Sequence, residues 1–139
     1  MIVLDTNVLS ALMRRSPDGT VVRWLDEQPR TSVWTTSITV LEIQYGMQIL
    51  PAGKRRTLLM SAFEAVLANQ IGHRIAPFDT AAAQRAGELM AIRHKNGRSV
   101  ELRDTMIAGI ALARRATLVT RNTPHFDDLS VPIVNPWIG

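Results

Sequence analysis

Residues 2–13 read IVLDTNVLSALM. The apolar run Ile2–Leu4 is short enough for a strand, and Asp5 ends it. Val8, Leu9, Leu12 and Met13 then recur at helical spacing, with Thr6 as the expected N-cap. A strand that passes straight into a helix is the unit of α/β folds, and the rest of the chain repeats it.

Working outward, Val21–Gln28 reads as a helix stopped by Pro29, and Val33–Thr35 as a strand. Thr36 and Ser37 can cap a helix running to about Ile49, ended by Pro51. Arg55–Asn69 is a further helix, Arg74–Phe78 a strand, and Thr80–His94 a helix closed near Asn96-Gly97. Ser99 is the expected cap of a helix through Arg115. Leu118–Thr120 and Pro132–Val134 are the last strands. The alternation predicts one α/β domain over residues 1–139 with a mostly parallel sheet. Ligands of such sheets sit beyond the carboxyl ends of the strands, where strand order reverses.

The composition fits a folded domain: 46% of residues are apolar and 20% charged, too few charges for a disordered chain. Cysteine is absent, which excludes disulfides and thiolate chemistry. Asp5 interrupts the N-terminal apolar run and no basic stretch precedes it, so a signal peptide is not expected. No apolar stretch approaches the roughly 20 residues of a membrane span. The expectation is a cytoplasmic protein with no membrane association. Net charge is +4, and only Lys54 and Lys95 among the sixteen basic residues are lysine. Arginine suits bidentate phosphate contacts, so a polyanionic partner and a solvated basic surface both fit.

Three carboxylates stand out. Asp5 follows the first strand, where an α/β fold places its chemistry, although an Asp there is equally a helix cap. On a helical wheel Glu42 falls beside Tyr45, Gly46 and Ile49, away from the polar stripe of Gln44 and Gln48. A carboxylate in apolar surroundings needs a partner: an arginine, a hydrogen-bond donor or a cation. Asp104 precedes the uncharged run Thr105–Ala113 (TMIAGIALA) and shares a face with Ile107, Ala108 and Ala111. A helix apolar all round is a buried one. Asp104 would also suit the first turn through the helix dipole alone. Asn122, after the strand Leu118–Thr120, can offer a carbonyl oxygen to a cation or its water, or simply shape a turn. Converging carboxylates suit Mg²⁺ or Mn²⁺, which favour oxygen ligands. His73, His94 and His125 lack zinc-ligand spacing, though His125 lies near Asn122 and can touch a substrate.

Taken together, Ile2–Leu9 (IVLDTNVL), Ser37–Gly46 (SITVLEIQYG), Leu50–Arg56 (LPAGKRR), Arg103–Ala113 (RDTMIAGIALA), Leu118–Phe126 (LVTRNTPHF) and Val131–Trp137 (VPIVNPW) resemble the PIN-domain nucleases. Within them, the chain resembles the VapC/FitB-like toxins of type II toxin–antitoxin pairs. The resemblance implies a PIN-like fold, with a central, mostly parallel sheet of four to five strands wrapped by helices. It implies an Mg²⁺- or Mn²⁺-dependent endoribonuclease neutralised by a cognate antitoxin, usually dimeric, that reaches operator DNA through the antitoxin. Asp5, Glu42 and Asp104 match the family's acidic residues, and Asn122 stands where many relatives carry Asp. Gln44 stands where many carry Arg. A haloacid-dehalogenase-like phosphatase would need an acid at position 7, which is Asn7, and a receiver domain a lysine at a late strand end.

The resulting expectation is RNA cleavage at a cation held by Asp5, Asp104 and Glu42, with Asn122 positioning water. Arg98, Arg103 and Arg121 are candidate phosphate contacts. An alternative is a module without useful turnover that dimerises and supports antitoxin binding to operator DNA. A third is a PIN nuclease acting without an antitoxin. Leu9, Leu12, Met13, Trp24 and Leu25 are candidates for an antitoxin groove, or for plain core.

Overall fold

The computed structural model describes residues 1–138; Gly139, the last residue of the expected domain, lies outside the described residues. Five strands form one sheet: β1 (Ile2–Leu4), β2 (Val33–Thr36), β3 (Ile75–Ala76), β4 (Thr117–Val119) and β5 (Ile133–Val134). Six α-helices connect them: α1 (Thr6–Leu12), α2 (Gly19–Asp26), α3 (Ser37–Gln48), α4 (Lys54–Val66), α5 (Thr80–Lys95) and α6 (Leu102–Arg114). Strand order is β3-β2-β1-β4-β5, and every pairing is parallel. The chain first builds outward from β1 through β2 to β3, then returns to β1's other side with β4. The order therefore reverses at β1, and the crevice there opens beyond the ends of β1 and β4.

The strand pleat divides the interior in two. Leu4 and Val119 face one core with Val8, Leu9, Val21, Phe63 and Ile71. Their neighbours Val3 and Leu118 face the other, with Ile38, Leu89, Ile107, Ile110 and Phe126. Alternation of side chains along a strand makes this split automatic. Each fully buried Ile or Leu contributes about 1.5–3 kcal/mol relative to exposure.

Helix α6 is buried from Ile107 to Leu112, as its uncharged sequence predicts. It packs along α5 at Gly109, where a Cβ would stand 2.5 Å from the Ala82 carbonyl and 2.8 Å from the Ala86 Cβ. α6 begins at Leu102 after Glu101, not after Ser99. Residues 96–101 instead reverse the chain, through a left-handed Gly97 and an extended Glu101. Helix α4 runs on into a π-helical turn, Leu67–Ile71, ended by left-handed Gly72. Of the expected groove residues, Leu9, Leu12 and Leu25 are buried core. Met13 lines an open groove of about 910 Å³ with Arg14, Arg15, Lys54, Arg55 and Leu58. Among the described residues, no helix is long and apolar enough to cross a membrane.

Candidate active site

Asp5 leaves β1 with extended backbone, and its own side chain caps α1 by accepting from the Thr6 amide at 2.8 Å. Thr6 was the expected cap. The cap falls one residue earlier because Asp5 is the last extended residue before the helix. That frees the Thr6 hydroxyl, which donates to Glu42 Oε1 at 2.7 Å and lies 3.0 Å from the Thr39 hydroxyl. The second Asp5 oxygen accepts from the Thr120 hydroxyl at 2.8 Å and the Asn7 amide at 3.2 Å.

Asp5 is only 3% exposed, and none of these donors carries a charge. Burial therefore pushes its carboxyl up to about 6. The hydrogen bonds from Thr120 and Thr6 pull the other way, and the negative fields of Asp104 and Glu42 add to the rise. The same two acids expected to share its task are thus near enough to be felt.

Glu42 is half-buried on α3, and Arg103 Nε lies 3.8 Å from its Oε2. Two of the three partners named from the sequence, an arginine and a hydrogen-bond donor, are present. Its apolar surroundings differ from expectation: Tyr45 and Ile49 are 59% and 65% exposed, so that strip of α3 faces outward. Hydropathy alone does not distinguish a core face from an exposed apolar strip. Asp104 lies in the first turn of α6, above fully buried Ile107, Ala108 and Ala111. Its Oδ2 is 2.8 Å from His125 Nδ1.

Asn122 is exposed just beyond β4, and its backbone amide donates to the Thr120 hydroxyl. Of the arginines, Arg121 lies over the Trp137 ring, 4.9 Å from its centroid. Arg103 is half-exposed between Glu42 and Glu101. Arg98 is held by Asp127 and by the Pro124 carbonyl, which it reaches at 2.7 Å. It lines a cleft of about 470 Å³ with Val100, Glu101, Asp104, Pro124 and His125.

Among the described residues, no three carboxylate, imidazole or thiol groups stand close enough to share one ion. The oxygen-only donors nevertheless fit a hard divalent cation held by one or two carboxylates and by water. The observation in favour is Asp5, a buried carboxylate among uncharged donors and within the field of two further acids.

Sequence reasoning missed Asn7, Thr120 and Arg93. Arg93 is 2% exposed and continues the buried stripe Ala82, Ala86, Leu89 of α5 at helical spacing, which is the trace it leaves in the sequence. Its guanidinium grips both oxygens of Asp128 at 2.9 Å and donates to the His125 carbonyl at 2.8 Å and the Thr105 hydroxyl at 3.1 Å.

With that geometry in place, residues 2–131 match the PIN domain. The chain belongs to the PIN-domain family. It is 37% identical to the VapC ribonuclease Y4jK of Sinorhizobium fredii, over 99% of this chain and 98% of that one. It is 34% identical to Toxin FitB of Neisseria gonorrhoeae, covering 99% of both. The structure of FitAB bound to a DNA fragment superimposes with a TM-score of 0.86 at 34% identity, over 99% of this chain and 96% of that one. The parallel five-stranded sheet with flanking helices is thus the PIN-like fold expected from the sequence.

Proposed function

We propose that this PIN-domain chain is a divalent-metal-dependent endoribonuclease, the toxin of a type II toxin–antitoxin pair. The observation that carries the reading is Asp5, a buried acid among uncharged donors at the sheet's switch point, within the field of Glu42 and Asp104. The full-length likeness to a VapC ribonuclease and to Toxin FitB supports it.

Asp5 and Asp104 would hold the cation, Mg²⁺ or Mn²⁺, with Glu42 acting through water. A divalent cation at such a site activates water and neutralises phosphoryl oxygens. The chain's residues supply the rest. Thr6 fixes Glu42, and Thr120 and Asn7 fix Asp5. Asn122, exposed just beyond β4, would help position a water there. Arg103 and Arg121 lie at the rim, where they meet the phosphates of a single strand, and Arg98 walls the adjoining cleft.

The protein works in the cytoplasm as one PIN domain and as a homodimer. A cognate antitoxin neutralises it and carries it to operator DNA, in line with the FitAB–DNA complex. The groove at Met13 and Leu58, rimmed by Arg14, Arg15, Lys54 and Arg55, suits an antitoxin segment with apolar anchors and acidic flanks.

Mapping RNA 5′ ends after induced expression tests the reading. New ends should appear with the wild-type chain and vanish with Asp5→Ala and Asp104→Ala. Full cleavage by either variant overturns the site assignment.

A further inference from the structure

The sequence offers His125 only as a residue able to touch a substrate, yet it makes the closest side-chain contact that Asp104 has among the described residues. An ionised carboxylate only accepts hydrogen bonds, so the hydrogen at this 2.8 Å contact sits on Nδ1 in either charge state of the ring. The bond engages Oδ2 of Asp104, and among the described residues Oδ1 has no hydrogen-bond partner. His125 is itself fixed from behind. It belongs to a short 3₁₀ turn, Thr123–Phe126, whose Phe126 side chain is fully buried. The His125 carbonyl accepts from Arg93, and the Pro124 carbonyl from Arg98. Arg93 also holds the hydroxyl of Thr105, the residue next to Asp104. One buried guanidinium thus ties together the backbone that carries His125 and the helix turn that carries Asp104.

We infer that His125 is a positioning residue for Asp104: its Nδ1–H holds Oδ2 so that Oδ1 is presented to the cation, and Arg93 sets the imidazole in place. The inference rests on the metal-dependent reading above. Groups that orient a metal ligand typically change metal affinity or activity by about 10–100-fold when removed. The imidazole side chain is 56% exposed, so its loss costs the fold little.

The test is calorimetric titration of Mn²⁺ into the purified full chain, beside single-turnover RNA cleavage and metal-free thermal melting. His125→Ala should weaken Mn²⁺ binding by about tenfold or more and slow the cleavage step. RNA affinity and the metal-free melting point should stay unchanged. His125→Asn places an amide N–H near the Nδ1 position and should recover most of both losses. Arg93→Lys keeps the charge but not the fork. Its effect on Mn²⁺ affinity should be non-additive with His125→Ala in the double variant.

Unchanged Mn²⁺ affinity in His125→Ala overturns the inference. So does a loss confined to RNA affinity, which would make His125 a substrate contact, or an Asn variant no better than Ala. Additive losses overturn the part assigned to Arg93. A wild-type chain that cleaves no RNA and binds no Mn²⁺ overturns this inference and the proposed function together. Normal wild-type behaviour with an unaffected His125→Ala overturns this one alone.

Discussion

Two charged side chains in this molecule are almost equally buried, Asp5 at 3% and Arg93 at 2% exposure. Asp5 is surrounded by a backbone amide, a hydroxyl and a carboxamide, and burial raises its carboxyl to about 6. Arg93 meets a carboxylate through two hydrogen bonds, and that contact holds Asp128 below the usual carboxylate range. The exposure is alike, and the difference is a countercharge. A buried charge with its counterion on the protein locks structure. One without it is held at a cost to folding and is available to an external cation.

The largest effect expected of any substitution follows at Asp5. Asp5→Asn should reduce RNA cleavage by well over 100-fold, since it removes a proposed metal ligand and not merely a neighbour of one. The same change should stabilise the metal-free protein. The folded pKa of Asp5 lies above its unfolded value, so the folded state holds more protons between about pH 4 and 6. Wild-type stability therefore falls as pH rises through that window, by about 3 kcal/mol in total. Asp5→Asn lacks this loss. Its melting point should match wild type near pH 4 and exceed it at pH 8. Added Mg²⁺ should close the gap by stabilising the wild type alone. A variant less stable than wild type at pH 8 without metal would refute the picture of an uncompensated charge.

Arg93 should behave in the opposite sense. Arg93→Met takes the Arg93 hydrogen bonds from Asp128, the His125 carbonyl and the Thr105 hydroxyl and leaves Asp128 only Arg98, 3.5 Å away, at a cost of about 3 kcal/mol. The cost sits at the low end for a buried pair because Asp128 is 25% exposed and water can reach it. The pH dependence is also reversed. The Asp128 pKa is lowered, so the pair's stability is complete above about pH 4 and is lost as pH falls through the folded value. Denaturant melts of wild type and Arg93→Met should therefore converge in acid. Curves that stay parallel would mean that the guanidinium acts by packing and not by charge.

The contrast between the two regions also marks how far the sequence could be read. Strand, helix and turn chemistry placed all five strands and six helices to within a few residues, because apolar period and caps are local properties. Asp5 and Asp104 were legible for the same reason: one ends a strand and the other heads an uncharged helix. What stayed hidden was tertiary. The His125–Asp104 contact joins residues 21 apart that no local pattern connects. Arg93 occupies a core position of α5, but a single charge there reads as solvent-exposed unless its partner on a distant turn is known. The exposed strip of Tyr45 and Ile49 was unreadable for the converse reason, since an apolar stripe carries no label saying whether the chain itself covers it.

The seam that carries both Arg93 and Asp104 offers a smaller break. Gly109→Ala would set a Cβ 2.5 Å from a backbone carbonyl of α5, so the helices must separate. Overpacking of this kind costs about 1–3 kcal/mol. Because α5 and α6 frame the Arg93 lock and the Asp104 turn, thermal stability and cleavage should fall together. Loss of stability with cleavage rates unchanged would show that the site tolerates a shift of α6.

The smallest effect isolates the hydroxyl between the acids. Thr6→Val keeps shape and backbone, so the Asp5 cap on the Thr6 amide survives, but Glu42 Oε1 loses its donor. Glu42 retains 21% exposure and the Arg103 guanidinium, so water can replace the lost bond and the cost should be about 1 kcal/mol. Cleavage should fall about tenfold or less, the range for a group that supports a proposed ligand, and Thr6→Ser should restore it. A loss as deep as that of Asp5→Asn would mean that the hydroxyl meets the cation or the substrate itself. In that case the uncharged surroundings of Asp5 would be part of the reacting shell, and the contrast with Arg93 would lie in who supplies the ligand as well as in who supplies the charge.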